Sequence, residues 1–125
     1  MSKFITLHYC KDNRLLGVSV EDIAVAAIYD NETKSSQVYI DGDEDNFITV
    51  NEKPSEILKR IGDTRKFIMV HSKTSNNEII LPVDTIITVK EATDKGCKIT
   101  IGNTAFESFD VNETVTTVIA KLNED

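Results

Sequence analysis

The sequence contains few of the residues that mark specialised classes of protein. Of its 125 residues, two are cysteine, two are proline and none is tryptophan. Cys10 and Cys97 are too few for a disulfide framework and lack the spacing of a metal motif, which predicts a reduced, cytoplasmic protein. No apolar run approaches the roughly 20 residues that a membrane span requires. The opening MSKFITLHYC lacks the basic start and apolar stretch of a secretory signal.

Positive charge is also scarce. The chain has 14 lysines and arginines against 21 aspartates and glutamates, for a net charge of −7. Nonspecific binding to nucleic acid or to an anionic membrane requires clustered basic residues, and here they are scattered. No glycine-rich phosphate-binding loop is present. We therefore expect no nucleic-acid partner, no membrane span and no nucleotide cofactor.

What the chain does contain is an internal repeat. Three short segments of the first half return in the second half in the same order, at offsets of 63, 63 and 61 residues. These pairs are KFITLH at 3–8 and KFIMVH at 66–71, VEDI at 20–23 and VDTI at 83–86, and VNE at 50–52 and at 111–113. Order and spacing hold over nearly the full length, so the sequence predicts a tandem duplication of residues 1–62 and 63–125.

Each half is interpreted as a ββββα unit. Alternating β-branched and aromatic residues indicate strands, and polar stretches at 11–14 and 73–78 supply turns. The strands of the first half are 4–9, 15–20, 37–40 and 47–50, and the second of them ends in a short turn at VEDI and continues extended at 24–29. Those of the second half are 67–72, 79–83, 98–101 and 109–111, and the second of them ends in a short turn at VDTI and continues extended at 87–90. A helix follows Pro54, and ETVTTVIAKL is its counterpart. The expected fold is α+β and β-rich, with two tandem ββββα repeats packed as a pseudo-twofold pair.

Buried packing predicts a core of residues that recur at matching places in both halves. These residues are Phe4, Ile23, Ile57 and Ile61 in the first half and Phe67, Ile86, Val118 and Leu122 in the second.

The stretch DGDEDNFITVNE resembles a calcium loop. It places Asp41, Asp43 and Asp45 at positions one, three and five, and Glu52 at position twelve. A calcium loop of this type lies between two helices, whereas the segment SSQVYI before it has the pattern of a strand. The second half has no carboxylate ladder at this place. We therefore expect an acidic hairpin with no tight metal site, and weak cation binding stays open.

Each half resembles the FlbD (SwrD) type of small bacterial protein. The pattern is an opening strand, a turn, a second strand that closes on a Val–Asp–x–Ile type of element, a strand hairpin, Val–x–Glu and a short helix. The residues that carry it are Phe4, Ile5, Leu7, Val20, Asp22, Ile23, Val38, Ile40, Val50, Glu52, Ile57 and Ile61, and then Phe67, Ile68, Val70, Val83, Ile86, Ile99, Ile101, Val111, Glu113, Val118 and Leu122. The duplication departs from that family. The resemblance implies a protein of bacterial or mobile-element origin without catalytic residues.

The residues that carry chemistry all have a structural interpretation. His8 and His71 occupy equivalent positions and would form a metal site if a twofold axis brought them together, but without a third ligand we expect partly buried histidines. Cys10 shares a strand face with His8, yet no acid orients a Cys–His nucleophile. Cys97 fits a small buried apolar residue.

Glu52 and Glu113 come directly before the helices, where a negative charge favours the helix dipole. Their recurrence in both halves indicates a structural role. No catalytic, cofactor or metal residue is therefore assigned.

Two classes of function remain. The first is a non-enzymatic protein-interaction module that offers sheet edges or a groove to a protein partner. The alternative is a small-ligand-binding protein with a pocket between the two repeats. An open sheet edge favours the first and a large apolar cleft favours the second. Because duplication places two units in one chain, we expect a monomer, or at most a weak dimer, that contains an internal pseudo-dimer.

Overall fold

The computed structural model describes residues 3–28, 32, 35–40, 47–102 and 108–124. The first half contains β1 (Phe4–His8), β2 (Leu15–Ser19), a 3-10 turn (Val20–Asp22), β3 (Ile23–Ile28), β4 (Ser36–Ile40), β5 (Phe47–Val50) and α1 (Pro54–Ile61). The second half contains β6 (Phe67–His71), β7 (Glu78–Pro82), a 3-10 turn (Val83–Thr85), β8 (Ile86–Glu91), β9 (Cys97–Ile101), β10 (Ser108–Val111) and α2 (Val115–Asn123).

The β-rich α+β class predicted from the sequence is confirmed, whereas the count of four strands in each unit is wrong. Each half has five strands, because a 3-10 turn separates the second strand from the third. The chain changes direction at this turn. In the first half β2 then pairs with β1, and β3 pairs with β4.

The turns that close the hairpins lie in the predicted polar stretches. Asn13 and Asn76 have φ angles of 60° and 59° at equivalent positions in these turns. Asparagine adopts this left-handed conformation more readily than most residues with a side chain. Each donates its backbone N–H to the carbonyl four residues earlier, Tyr9 or Ser72.

All strand pairs are antiparallel and fall into three sheets. The largest has the order β5-β4-β3-β7-β6, and the others are β1-β2 and β10-β9-β8. Single bridges join Tyr9 to Val50 and Ser72 to Val111, so β1 meets the end of β5 and β6 meets the end of β10. The ten strands therefore follow one another in a single series, β2-β1-β5-β4-β3-β7-β6-β10-β9-β8.

The two halves join where β3 pairs with β7, with Ala26 opposite Ile80 and Ala27 opposite Ile79. A twofold axis that relates the halves would also pair β8 with β2. In the described residues β2 pairs only with β1, and β8 pairs only with β9. The observed junction is therefore head to tail, since the third strand of one half meets the second strand of the other.

The helices cover the core with one apolar face each. Pro54 occupies the first turn of α1, and Gly62 ends that helix with a φ of 59°. At the start of α2, the Thr114 side chain accepts a hydrogen bond from the backbone N–H of Thr117. Within the described ranges, neither α1 nor α2 nor any other helix is long and apolar enough to cross a membrane.

The core prediction is confirmed at five positions: Ile23, Ile57, Ile61, Phe67 and Val118 are buried. Ile86 and Leu122 are only partly buried. The prediction that Phe4 is buried is wrong, because its side chain is 65% exposed. It lies on the hairpin at the end of the strand series, where no further strand covers it.

Two clusters of buried side chains meet across the junction. The first-half cluster includes Phe67 and Ile80 from the second half. The second-half cluster includes Ala24 and Val25 from the first half. The halves therefore share their cores and are joined by more than backbone hydrogen bonds.

Candidate functional site

A histidine–glutamate pair connects the first strand of each half to the segment before the helix. The Nδ1 atom of His8 lies 2.6 Å from Oε2 of Glu52, and the backbone N–H of His8 donates to Oε1 at 3.0 Å. An ionised carboxylate only accepts hydrogen bonds, so Nδ1 carries the proton. Glu52 is therefore held by two donors from one residue of β1.

The same pair recurs in the second half. His71 donates to Glu113 from its backbone N–H at 2.9 Å and from Nδ1 at 2.7 Å. The halves differ in a third donor: Arg60 Nη1 donates to Glu52 at 2.9 Å. Lys121 stands at the position of Arg60 in α2 and makes no ion pair within the described part of the chain. Glu52 thus has the fuller set of partners.

These contacts determine the ionisation of the two glutamates. Burial raises the pKa of Glu52, but hydrogen bonds from His8 and Arg60 outweigh it, so the pKa lies below its ordinary value of 4.5. Burial likewise raises the pKa of Glu113, and hydrogen bonds from His71 bring the pKa below its ordinary value. Both carboxylates are therefore ionised at neutral pH.

The recurring VNE segment has a structural explanation at each position. Val50 and Val111 are fully buried. Asn51 donates to the side-chain oxygen of Asn13 at 2.9 Å, and Asn112 donates in the same way to Asn76 at 2.7 Å. The glutamate then binds the histidine. Each VNE segment thereby attaches the first hairpin of its half to the last strand.

Glu52 and Glu113 were predicted to interact with the dipoles at the helix starts, but each binds a histidine instead. Lys53 and Thr114 are the N-cap residues, and the glutamate carboxylates point to histidine instead. Sequence reasoning noticed the histidines and the glutamates separately and missed that they pair. The repeat itself held the signal, because both residues recur in both halves.

The histidines lie in separate pairs, one in each half. Among the described residues, no group of three His, Cys, Asp or Glu side chains could hold a metal ion.

The two cysteines lie apart from each other in different surroundings. Cys10 Sγ lies 3.4 Å from Ser35 Oγ. Cys97 is buried, and burial together with the negative charge of Glu113 raises the pKa of its thiol. Such a thiol is a poor nucleophile at neutral pH.

The acidic segment with Asp41, Asp43 and Asp45 lies outside the described residues. Its flanks are described: β4 precedes it and β5 follows it, with Tyr39 opposite Phe47. The segment therefore connects two antiparallel strands, as the hairpin prediction expected. A calcium loop of the helix–loop–helix type would have a helix on each side.

Among the described residues, the two ends of the strand series are open edges. β2 forms one end and β8 forms the other. Large apolar side chains are exposed at both ends: Leu15 in β2 is 70% exposed, and Ile87 in β8 is 66% exposed. An open edge presents unpaired backbone N–H and C=O groups that can accept another strand. The edges therefore combine unpaired backbone with apolar surface.

A cleft of about 530 Å³ is lined by Leu58 and Gly62 of the first half and by Phe67 of the second half. Its lining also includes Lys66 and Glu124. The Lys66 ammonium already donates to the carbonyls of Leu122 and Glu124. This mixed, charged lining differs from the apolar cleft expected of a small-ligand pocket.

No family model, no curated protein and no solved structure matches the chain. Any statement about its function therefore depends on the geometry of the chain itself. In the described residues that geometry includes two histidine–glutamate pairs, a cleft with a charged lining and two open sheet edges.

Proposed function

We propose that the protein is a non-enzymatic protein-interaction module of the cytoplasm, built by duplication of an FlbD-like bacterial domain. The observation that carries this proposal is the pair of open edges on β2 and β8 with exposed Leu15 and Ile87. An open sheet edge favours an interaction module over a small-ligand binder.

Strand addition explains how such an edge would bind. A partner strand completes the backbone hydrogen bonds of the edge, and side chains that flank it add apolar contact. Soluble proteins usually protect their edge strands with charge, proline or a covering loop. Ile87, the second residue of β8, is an exposed β-branched apolar residue, which supports a binding role for this end of the edge. The charges of Lys90 and Glu91 lie at the other end of the strand.

The histidine–glutamate pairs support the same proposal. General acid–base catalysis needs a titrating group within reach of a substrate in a site that selects it. Here each glutamate binds both the backbone and the ring of its histidine, and the arrangement occurs twice. A structural contact that holds the first hairpin of each half to its last strand accounts for both copies.

The test is affinity capture with edge variants. The wild-type chain, the double variant Leu15→Lys/Ile87→Lys and the control Phe47→Lys are immobilised at equal density and exposed to native lysate. Phe47 is 43% exposed and lies in β5, away from both edges, so the control removes an exposed apolar side chain and adds one charge. We expect partners bound by the wild type and the control to fall at least tenfold on the double variant.

Partners retained at full level by the double variant would overturn the proposal. Binding of small metabolites with loss on substitution of Lys66 would instead favour the alternative cleft. Circular dichroism of each variant checks that the fold is kept, since the two edge residues are more than half exposed.

A further inference from the structure

We propose that the partner of the open edges is a second copy of this chain, joined head to tail. In this assembly β8 of one chain pairs with β2 of the next, in the way that β3 pairs with β7 inside the chain. The inference rests on the proposed function, since it names the occupant of the same edges.

The internal junction already shows that these two kinds of strand fit. At the repeat offset of 63 residues, β8 is the counterpart of β3, and β2 is the counterpart of β7. The described first half therefore leaves β2 open and the second half leaves β8 open, and strands of these two types pair at the internal junction. Transferring the internal register places Val89 opposite Gly17 and Lys90 opposite Leu16 of the next chain.

Burial differs between the paired strands and their open counterparts. Ala24, Val25 and Ala26 of β3 are buried, whereas β8 contains no buried residue. In the hairpins, Phe67 is 7% exposed and its counterpart Phe4 is 65% exposed. β7 has four buried residues, whereas β2 has one. The surfaces that the junction covers internally are therefore the surfaces that stay uncovered at the ends.

The helices show the same difference. Leu58 of α1 packs against the first cluster, next to the hairpin of the second half. Its counterpart in α2, Ile119, is 44% exposed. Of the five large apolar residues that are exposed in the described part of the chain, four lie at the two ends. Phe4 and Leu15 are at the β2 end, and Ile87 and Ile119 are at the β8 end.

Three sequence differences make the contact between chains weaker than the internal junction. β8 has Lys90 and Glu91 where β3 has Ala27 and Ile28. Arg65 donates to the carbonyls of Val20, Glu21 and Ile23 across the internal junction. The first half has Ser2 at the position of Arg65, so this contact is lost between chains. The assembly is therefore reversible and depends on concentration.

A head-to-tail contact either closes into a ring or continues as a filament. Two chains form a closed dimer if β8 of each chain pairs with β2 of the other. This assembly and the monomer, or at most weak dimer, expected from the duplication are distinguished by measuring association against concentration. The monomer expectation assumed a twofold pair that satisfies its own interface.

Sedimentation velocity over a concentration series provides the test. We expect the wild type and the control Phe47→Lys to associate as concentration rises. Leu15→Lys and Ile87→Lys should each remain at 14.0 kDa. Leu15→Lys keeps an intact β8, and Ile87→Lys keeps an intact β2. An equimolar mixture of the two variants should therefore form dimers and nothing larger.

Two results would overturn the inference: a wild type that stays monomeric at all concentrations, or variants that associate alone as the wild type does. A mixture that stays monomeric while the wild type associates would also overturn it. If the wild type is monomeric and yet captures a protein that the double variant loses, the edges bind another partner. In that case this inference fails while the proposed function holds.

Discussion

The hairpins β1–β2 and β6–β7 begin with nearly the same sequence, yet the phenylalanine of one is exposed and that of the other is buried. KFITLH and KFIMVH differ at two positions, and both place a phenylalanine second. Phe67 packs into the first-half cluster, because β7 pairs with β3 and α1 covers the hairpin. Phe4 has no such neighbour and is 65% exposed. The position of the hairpin in the strand series therefore decides whether this phenylalanine is covered.

The largest expected effect separates these two phenylalanines. Phe67→Ala should lower the free energy of unfolding by about 3–5 kcal/mol, because it leaves a cavity in a shared core. Phe4→Ala should change it by less than about 0.5 kcal/mol, as is usual at exposed positions. Urea unfolding at neutral pH measures both. Equal losses in the two variants would mean that the hairpins have the same surroundings in solution.

The glutamates provide a second comparison between the halves. Glu52→Gln should lower the free energy of unfolding by about 1–3 kcal/mol at neutral pH, and Glu113→Gln by less. The reason is that Glu52 binds Arg60 as well as histidine and is the more buried carboxylate, with a side chain 5% exposed against 14% for Glu113. The order of the two losses in denaturant unfolding tests the role of the arginine.

The pH dependence of these variants has a definite sign. Because the pKa of each glutamate is lowered on folding, its stabilisation is present above 4.5 and is lost as the pH falls through the folded-state pKa. The difference between wild type and each glutamine variant should therefore shrink on acidification below 4.5. A difference that is independent of pH would show that the ionised carboxylate is not the stabilising species.

The smallest expected effect concerns the acidic segment, which only the first half contains. Calorimetric titration should show no calcium binding tighter than about millimolar, since a strand hairpin does not supply the coordination of a helix–loop–helix site. Asp43→Ala is the matched control and should give the same trace. A micromolar site that disappears in Asp43→Ala would show that the loop coordinates calcium.

Much of the local structure could be predicted from the pattern of residues. Alternating β-branched side chains place the strands, and polar stretches with Asn13 and Asn76 place the turns. The helical faces with Ile57, Ile61 and Val118 were predicted as core and are buried. These features depend on neighbours along the chain, which the sequence displays directly. A short turn was predicted at VEDI and VDTI, where the 3-10 turns lie, but the strand was expected to continue after it, so the division of each unit into five strands was missed.

The candidate site was less predictable. The recurrence of His8, His71, Glu52 and Glu113 indicated a shared structural role, but pairing across 44 and 42 residues depends on how β1 and β6 meet the last strand of each half. No local pattern reports that contact. The sequence also could not show which strands are open edges, because a strand is an edge only when no other strand pairs with one of its sides.

By itself, the sequence determined that the chain is β-rich, that two similar series of elements follow one another, and which apolar faces can be buried. Periodicity and turn chemistry act over a few residues and are enough for these features. Only the tertiary structure decided that the halves meet through β3 and β7, and that β2 and β8 remain open. Both halves carry the same kinds of strand edge, so several pairings satisfy the local pattern equally. The choice among them depends on side-chain packing between elements that are distant in sequence.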